Sequence, residues 1–231
     1  MKRFEPQLPG RPVDGLLAGA TLSALHVYAV PDLALDTDLG TLVEACRRVM
    51  EPFPILSLHD GLLHITLEVV ADVPSEAVSA AERADLIAAL ETSLADTPPF
   101  TVLAGSPVAS KAGAFLDCWP DDGLTSLHQK VRSAVQAVRG PGAVVYSGGR
   151  PHCGLGYSYA AADSDPLQSA LRAISPSHAE FTVNQVVLVD VTFTLTETAS
   201  PAEGTQPAWD FDFTPLHTIA LSEPGTPVPH F

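Results

Sequence analysis

The stretch Leu63-His64-Ile65-Thr66-Leu67-Glu68-Val69-Val70 alternates between two faces at every second position, the period of a half-buried β-strand. That phase predicts an inward face of Leu63, Ile65, Leu67 and Val69 and an opposite face of His64, Thr66 and Glu68, with Glu68 solvated or else orienting His64. Same-face neighbours on a strand stand about 7 Å apart, so an imidazole and a hydroxyl placed this way reach one phosphate-sized group. A second stretch, Arg150-Pro151-His152-Cys153-Gly154-Leu155-Gly156-Tyr157-Ser158, has the same phase. Here Cys153, Leu155, Tyr157 and Tyr159 read as core, and His152, Gly154, Gly156 and Ser158 face the other way. Superposing the two histidines sets Thr66 against Gly154 and Leu67 against Leu155, which predicts two related strands facing across a groove.

Around the first stretch, Thr21 to Val30 reads as a strand ended by Pro31, and Leu39 to Met50 as a helix entered through Thr37 and Asp38 and closed by Pro52 and Pro54. Asp60-Gly61 separates Ile55–Leu58 from Leu62–Val70 and predicts a hairpin. A helix from about Ser79 to Leu94 and strands at Phe100–Ala104 and Gly113–Asp117 follow. The second half repeats the theme: a helix over Leu124–Val138 stopped by Gly140-Pro141, a strand over His152–Tyr159, a helix over Asp163–Ile174, and strands at Phe181–Val183, Gln185–Leu195 and Leu216–Leu221 with a loop from Thr196 to Pro207. Gly148-Gly149 reads as a flexible turn. These signals predict α+β with antiparallel sheets rather than a doubly wound parallel sheet. Residues 1–20 form a lead-in, 21–222 one two-lobed domain, and 223–231 a tail.

The composition restricts the partners. With 231 residues and 46% hydrophobic content the chain has ample material for a folded core. A formal charge of −15 repels polyanions, which excludes long nucleic-acid tracts and leaves a short RNA end or a nucleotide. Three cysteines without a C-x-x-C pair argue against a disulfide framework or structural zinc and suit the cytoplasm. The apolar run Gly15–Val30 follows Glu5, Arg11 and Asp14 and is interrupted by Ser23 and His26, so it reads as loop and strand rather than a secretory leader. No run suits a membrane, and a monomer is favoured. Scarce lysine beside abundant Ala, Val, Gly and Pro matches an actinobacterial composition.

In-line cleavage of a phosphodiester needs a base for the attacking oxygen and an acid for the departing one, and two imidazoles supply both near neutral pH. On these residues the chain resembles the two-histidine phosphoesterases, the superfamily of bacterial 2′-5′ RNA ligase-like proteins and cyclic phosphodiesterases, marked by a duplicated H-x-[S/T]-x motif. LHITLEVV looks like the first copy, and RPHCGLGYS looks like the second in an actinobacterial form. The likeness spans Thr21 to about Leu221. It implies a bilobal fold of two antiparallel sheets with outer helices and pseudo-twofold symmetry around a central groove. His64 and His152 would be catalytic there and Thr66 would hold the phosphate, with neither cofactor nor metal, on 2′,3′-cyclic or 2′,5′-linked phosphodiesters. The departure is Gly154, where the family carries a hydroxyl, and Arg150 is the compensating phosphate ligand.

Gly154 also motivates a rival reading, a non-catalytic nucleotide or RNA-end binding module. A third reading is an acidic interaction protein with structural histidines. A metal at His59, Asp60 and His64 would straddle the predicted turn, and a Cys153 nucleophile would face away from His152. His26, His128, His178, His217 and His230 fall in no paired pattern and read as structural or surface.

Overall fold

In the computed structural model the described residues are 19–144, 149–199 and 205–222. Nearly all of the expected lead-in, the tail with His230, Gly148 and part of the Thr196–Pro207 loop lie outside them. The elements run β1 (Thr21–Ala29), α1 (Thr37–Met50), β2 (Ile55–Ser57), β3 (Ile65–Val70), α2 (Ala80–Leu94), β4 (Phe100–Ala109), β5 (Gly113–Trp119), α3 (Asp121–Arg139), β6 (His152–Ser158), α4 (Asp165–Leu171), β7 (His178–Val183), β8 (Gln185–Ala199) and β9 (Thr205–Ala220).

All nine strands join one curled antiparallel sheet in the order β7-β4-β5-β6-β3-β1-β8-β9, with β2 beside β6. The α+β expectation holds, but the two sheets expected are one. The two histidine strands are themselves neighbours, hydrogen-bonded across the middle at Ile65 and Cys153. On either side of that seam the order strand, helix, strand recurs, as β1-α1-β3 and as β5-α3-β6, with a histidine at or just before the start of the second strand each time. The helices cover one face, where Leu39, Leu86, Leu127 and Leu167 share a core with Ile65 and Cys153. The other face carries a smaller cluster of Tyr28, Val189, Phe211 and Phe213.

Both histidine strands are bulged at the same place. Opposite β1, Tyr28 pairs with Thr66 and Val27 with Glu68, so Leu67 is the extra residue. Opposite β5, Phe115 pairs with Gly154 and Ala114 with Gly156, so Leu155 is extra. A bulge shifts the two-residue phase by one, which overturns the facing expected beyond it: Val69 lines the open cavity and Ser158 is buried. Glu68 is not solvated but completely buried, and Tyr157 turns toward the open face rather than the helix-covered core.

Ile55–Leu58 and Leu62–Val70 do not form the expected hairpin. β2 and β3 both run antiparallel to β6, hence in the same direction along its edge, and no reversal is required between them. Asp60 and Gly61 instead lie in a 3-10 turn whose Asp60 carboxylate accepts from Arg47 at 2.6 Å. The expected Thr196–Pro207 loop is strand wherever it is described, with Thr196 paired to Ala208 and Glu197 to Pro207. β9 is an edge strand, where proline is tolerated. α4 is shorter than expected, starting with Pro166 in its first turn.

Beneath β3, the Glu68 carboxylate pairs with Arg132 of α3 at 3.2 Å and accepts from the Val69 amide at 3.0 Å. Arg132 also donates to the Val144 carbonyl at 2.7 Å, tying the helix to the chain that leads toward β6. Arg132→Leu strips a buried carboxylate of its counter-ion and is expected to cost about 3–5 kcal/mol in urea unfolding, well above an exposed Arg→Leu change.

Candidate active site

His64 and His152 line one open cavity of about 360 Å³ together with Thr66 and Gly154. The two rings are held in the same way. His64 Nδ1 donates to the Leu62 carbonyl at 2.7 Å, and His152 Nδ1 donates to the Arg150 carbonyl at 2.9 Å, each two residues upstream. A carbonyl only accepts, so Nδ1 carries the hydrogen and Nε2 is left for the cavity. Each ring also rests on an aromatic from the next strand outward: Tyr28 of β1 stacks on His64 with centroids 3.9 Å apart, and Phe115 of β5 lies 5.0 Å from His152. Tyr28 faces Thr66 and Phe115 faces Gly154, so the supports occupy matching positions in the two halves.

Their environments differ. His64 is buried at 4% exposure beside Tyr28, Phe211 and Phe213, whereas His152 is exposed. Burial, with His152 nearby, lowers the His64 pKa to about 4, against the pull of its bond to Leu62. At neutral pH it is an uncharged ring whose Nε2 accepts a proton.

The remaining expected residues divide. Thr66 and Gly154 stand on the cavity wall, and a Cβ built on Gly154 would meet only Leu58, at 3.6 Å, so nothing crowds out a larger residue there. Arg150 does not line this cavity. Its guanidinium is paired with Asp117 at 3.0 Å and lies over the Phe115 ring, on the wall of an adjoining cavity. Cys153 faces the core, and burial raises its thiol to about 12, which leaves no thiolate at neutral pH. His59 is exposed and Asp60 is taken by Arg47; among the described residues no cluster of three or more His, Cys, Asp or Glu is placed to hold a metal ion. No described helix is long and apolar enough to cross a membrane.

Two histidines read as structural or surface belong on cavity walls instead. His26 lines the main cavity, hydrogen-bonded to the Tyr28 hydroxyl at 2.7 Å, with its pKa lowered to about 3 chiefly by burial. His128 lines the adjoining one. Sequence reasoning also missed Tyr28, Phe115 and the aromatic wall of Tyr157, Phe193 and Phe211. The first two were within reach: aligning β1 with β5 as well as β3 with β6 sets Tyr28 against Phe115.

A sequence profile described as the 2′-5′ RNA ligase superfamily matches residues 34–192, more than half of the chain. The chain belongs to the 2′-5′ RNA ligase superfamily. No curated protein matches it. Among solved structures it is similar to TT0787 of Thermus thermophilus, at 20% identity and TM-score 0.59 over 87% of this chain and 99% of that one. It is also similar to apo LigT of E. coli, at 14% identity and TM-score 0.52 over 88% and 100%. These likenesses identify the superfamily fold. The paired histidine environments come from this chain's own residues.

The lowered pKa of His64 has two measurable consequences. The rate of any reaction that uses neutral His64 as base should hold from neutral pH down to about pH 5 and fall as the ring protonates near 4; Tyr28→Ala, which admits water, should move that limb up toward 6.5. Stability follows the same sign. Between about 6.5 and 4 the unfolded chain binds a proton at His64 that the folded chain refuses, so stability measured in urea should decline as pH falls through that window, and His64→Gln should flatten the decline.

Proposed function

We propose that the protein is a phosphoesterase that cleaves or joins small phosphodiesters, 2′,3′-cyclic or 2′,5′-linked, by two-histidine acid and base catalysis without a cofactor or metal. The observation that carries this reading is the matched pair of imidazoles on one cavity, each with Nδ1 tied to a carbonyl and Nε2 left for the substrate.

Buried, uncharged His64 is the base and exposed His152 the acid, because an imidazolium is tolerated better in contact with water. In hydrolysis of a cyclic phosphate, His64 Nε2 takes a proton from water as its oxygen bonds to phosphorus. The bond from phosphorus to one ribose oxygen breaks, and that oxygen takes the proton from His152 Nε2. Proton exchange with solvent resets both rings. The Thr66 hydroxyl donates to a phosphoryl oxygen, and the aromatic wall of Tyr157, Phe193 and Phe211 suits a nucleobase. E. coli LigT, of the same fold at 15% identity and TM-score 0.53, is known in complex with 3′-AMP, and a nucleotide in the groove of this chain agrees with that precedent.

Purified protein incubated with a panel of 2′,3′-cyclic nucleotides and 2′,5′-linked dinucleotides should turn over at least one of them at an unchanged rate in EDTA. His64→Ala and His152→Ala should each lower kcat about 10²- to 10⁴-fold. Chelator-abolished activity, or full activity in His64→Ala, overturns the mechanism. The rival reading, a binding module, rests on Gly154 and predicts saturable nucleotide binding with no turnover. Because the space beside Gly154 is open, Gly154→Ser should fit and raise kcat about tenfold by restoring a donor to the phosphate.

A further inference from the structure

The groove does not end at His152. A second cavity of about 320 Å³ opens beyond it, and the two share Thr66 and His152; His64 lines only the first. Both fall in the size range of small-ligand pockets, about 300–1,000 Å³. The second is built from α3 and the approach to β6. Thr125, exposed, and His128 lie three residues apart on one side of α3, and Arg150 stands across from them on the approach to His152.

The polar groups there are specific in kind. His128 Nδ1 donates to the carbonyl of Leu67, the extra residue of the β3 bulge, which leaves Nε2 for the cavity. Thr125 offers a hydroxyl. Arg150, paired with Asp117 at 3.0 Å, is the only Lys, Arg, Asp or Glu on either wall among the described residues, so the second cavity presents a guanidinium and the first, with its aromatic wall, presents no charged side chain. An imidazole nitrogen, a hydroxyl and a guanidinium together complement a ribose hydroxyl and a phosphate rather than a second stacked base.

The histidine roles decide which part of the substrate lies where. His64, the base, belongs to the attacking side and touches only the first cavity; His152, the acid, protonates the departing oxygen and touches both. We propose that the second cavity is a subsite for the departing ribose and its phosphate, held by Thr125, His128 and Arg150. The protein then prefers a phosphodiester with nucleosides on both sides over a 2′,3′-cyclic mononucleotide, which occupies the first cavity alone. This rests on the two-histidine reading above.

Thr125→Trp in the full chain fills the second cavity from an exposed helix position outside the core and leaves the first cavity, with His64, unaltered, and Thr125→Ser serves as the control. The probes are 2′,5′-linked ApA with a 5′-phosphate on the nucleoside joined through its 2′-oxygen, which departs as water adds to phosphorus and the bond from phosphorus to that 2′-oxygen breaks, and adenosine 2′,3′-cyclic phosphate. Wild type should favour the dinucleotide in kcat/KM. Thr125→Trp should lower that value about tenfold or more while the cyclic nucleotide stays within about twofold, and Thr125→Ser should behave as wild type. An unchanged dinucleotide, an equal fall on both substrates, or a wild type that takes only the cyclic nucleotide overturns the subsite. If wild type turns over neither, the proposed activity fails, and calorimetric binding of the same two compounds decides the subsite by itself. It stands if Thr125→Trp weakens the dinucleotide alone, and falls otherwise.

Discussion

The backbone pair between Ile65 and Cys153 is where the two halves of the sheet meet, and the placement of both paired histidines follows from it. In that antiparallel register His64 stands across from Gly154 and Thr66 from His152. The two histidines are therefore diagonal neighbours, about 7–8 Å apart at the backbone. β2 takes the edge of β6 on one side of this contact, at Gly156 to Ser158, and β6 itself starts at His152 on the other, so β3 meets β6 only around its histidine and threonine. A longer ladder between β3 and β6 would close the space that the substrate needs, and no pairing at all would leave the rings without a fixed separation.

From that seam outward the halves are built alike and finished differently. Matching bulges at Leu67 and Leu155 turn each strand just past its histidine, and matching aromatics, Tyr28 and Phe115, support the rings. The paired strands β8 and β9 extend the sheet on the β1 side and bring Phe211 and Phe213 against His64, with Phe211 also reaching Tyr157 of β6. That wall withdraws one imidazole from water and leaves its counterpart exposed. Two copies of one motif thereby meet different surroundings, one ring buried with its pKa lowered and the other exposed to water, and the proposed division into base and acid arises there rather than in the motif.

The parts legible in the sequence were those that depend on local phase. His64, Thr66, His152 and the inward Cys153 could be placed because period-two alternation holds up to each bulge. The reading failed just beyond, at Glu68 and Tyr157, because a bulge has no composition of its own here; leucine occupies both. Asp60-Gly61 carries a genuine turn signal, but whether a turn closes a hairpin depends on which strand accepts the next pairing, and β6 is distant in sequence. His26 and His128 escaped for a related reason. Each reaches a cavity by way of an element, β1 or α3, whose placement against β3 is a tertiary fact.

The missing hydroxyl at Gly154 takes on a different meaning once its location is known. It lies across from His64, on the attacking side, in a part of the groove walled by aromatic rings. The hydroxyl that remains, on Thr66, lies across from His152 at the junction of the two cavities, and the guanidinium of Arg150 stands beyond it. In the proposed mechanism polar contact to the substrate is therefore weighted toward the departing side, where negative charge accumulates on the oxygen as its bond to phosphorus breaks. Donors placed there strengthen as the reaction proceeds, so the hydroxyl missing from the attacking side removes one contribution to the transition state and leaves those on the departing side in place. A glycine in the second motif is thus compatible with catalysis in a protein that holds its substrate by the leaving group.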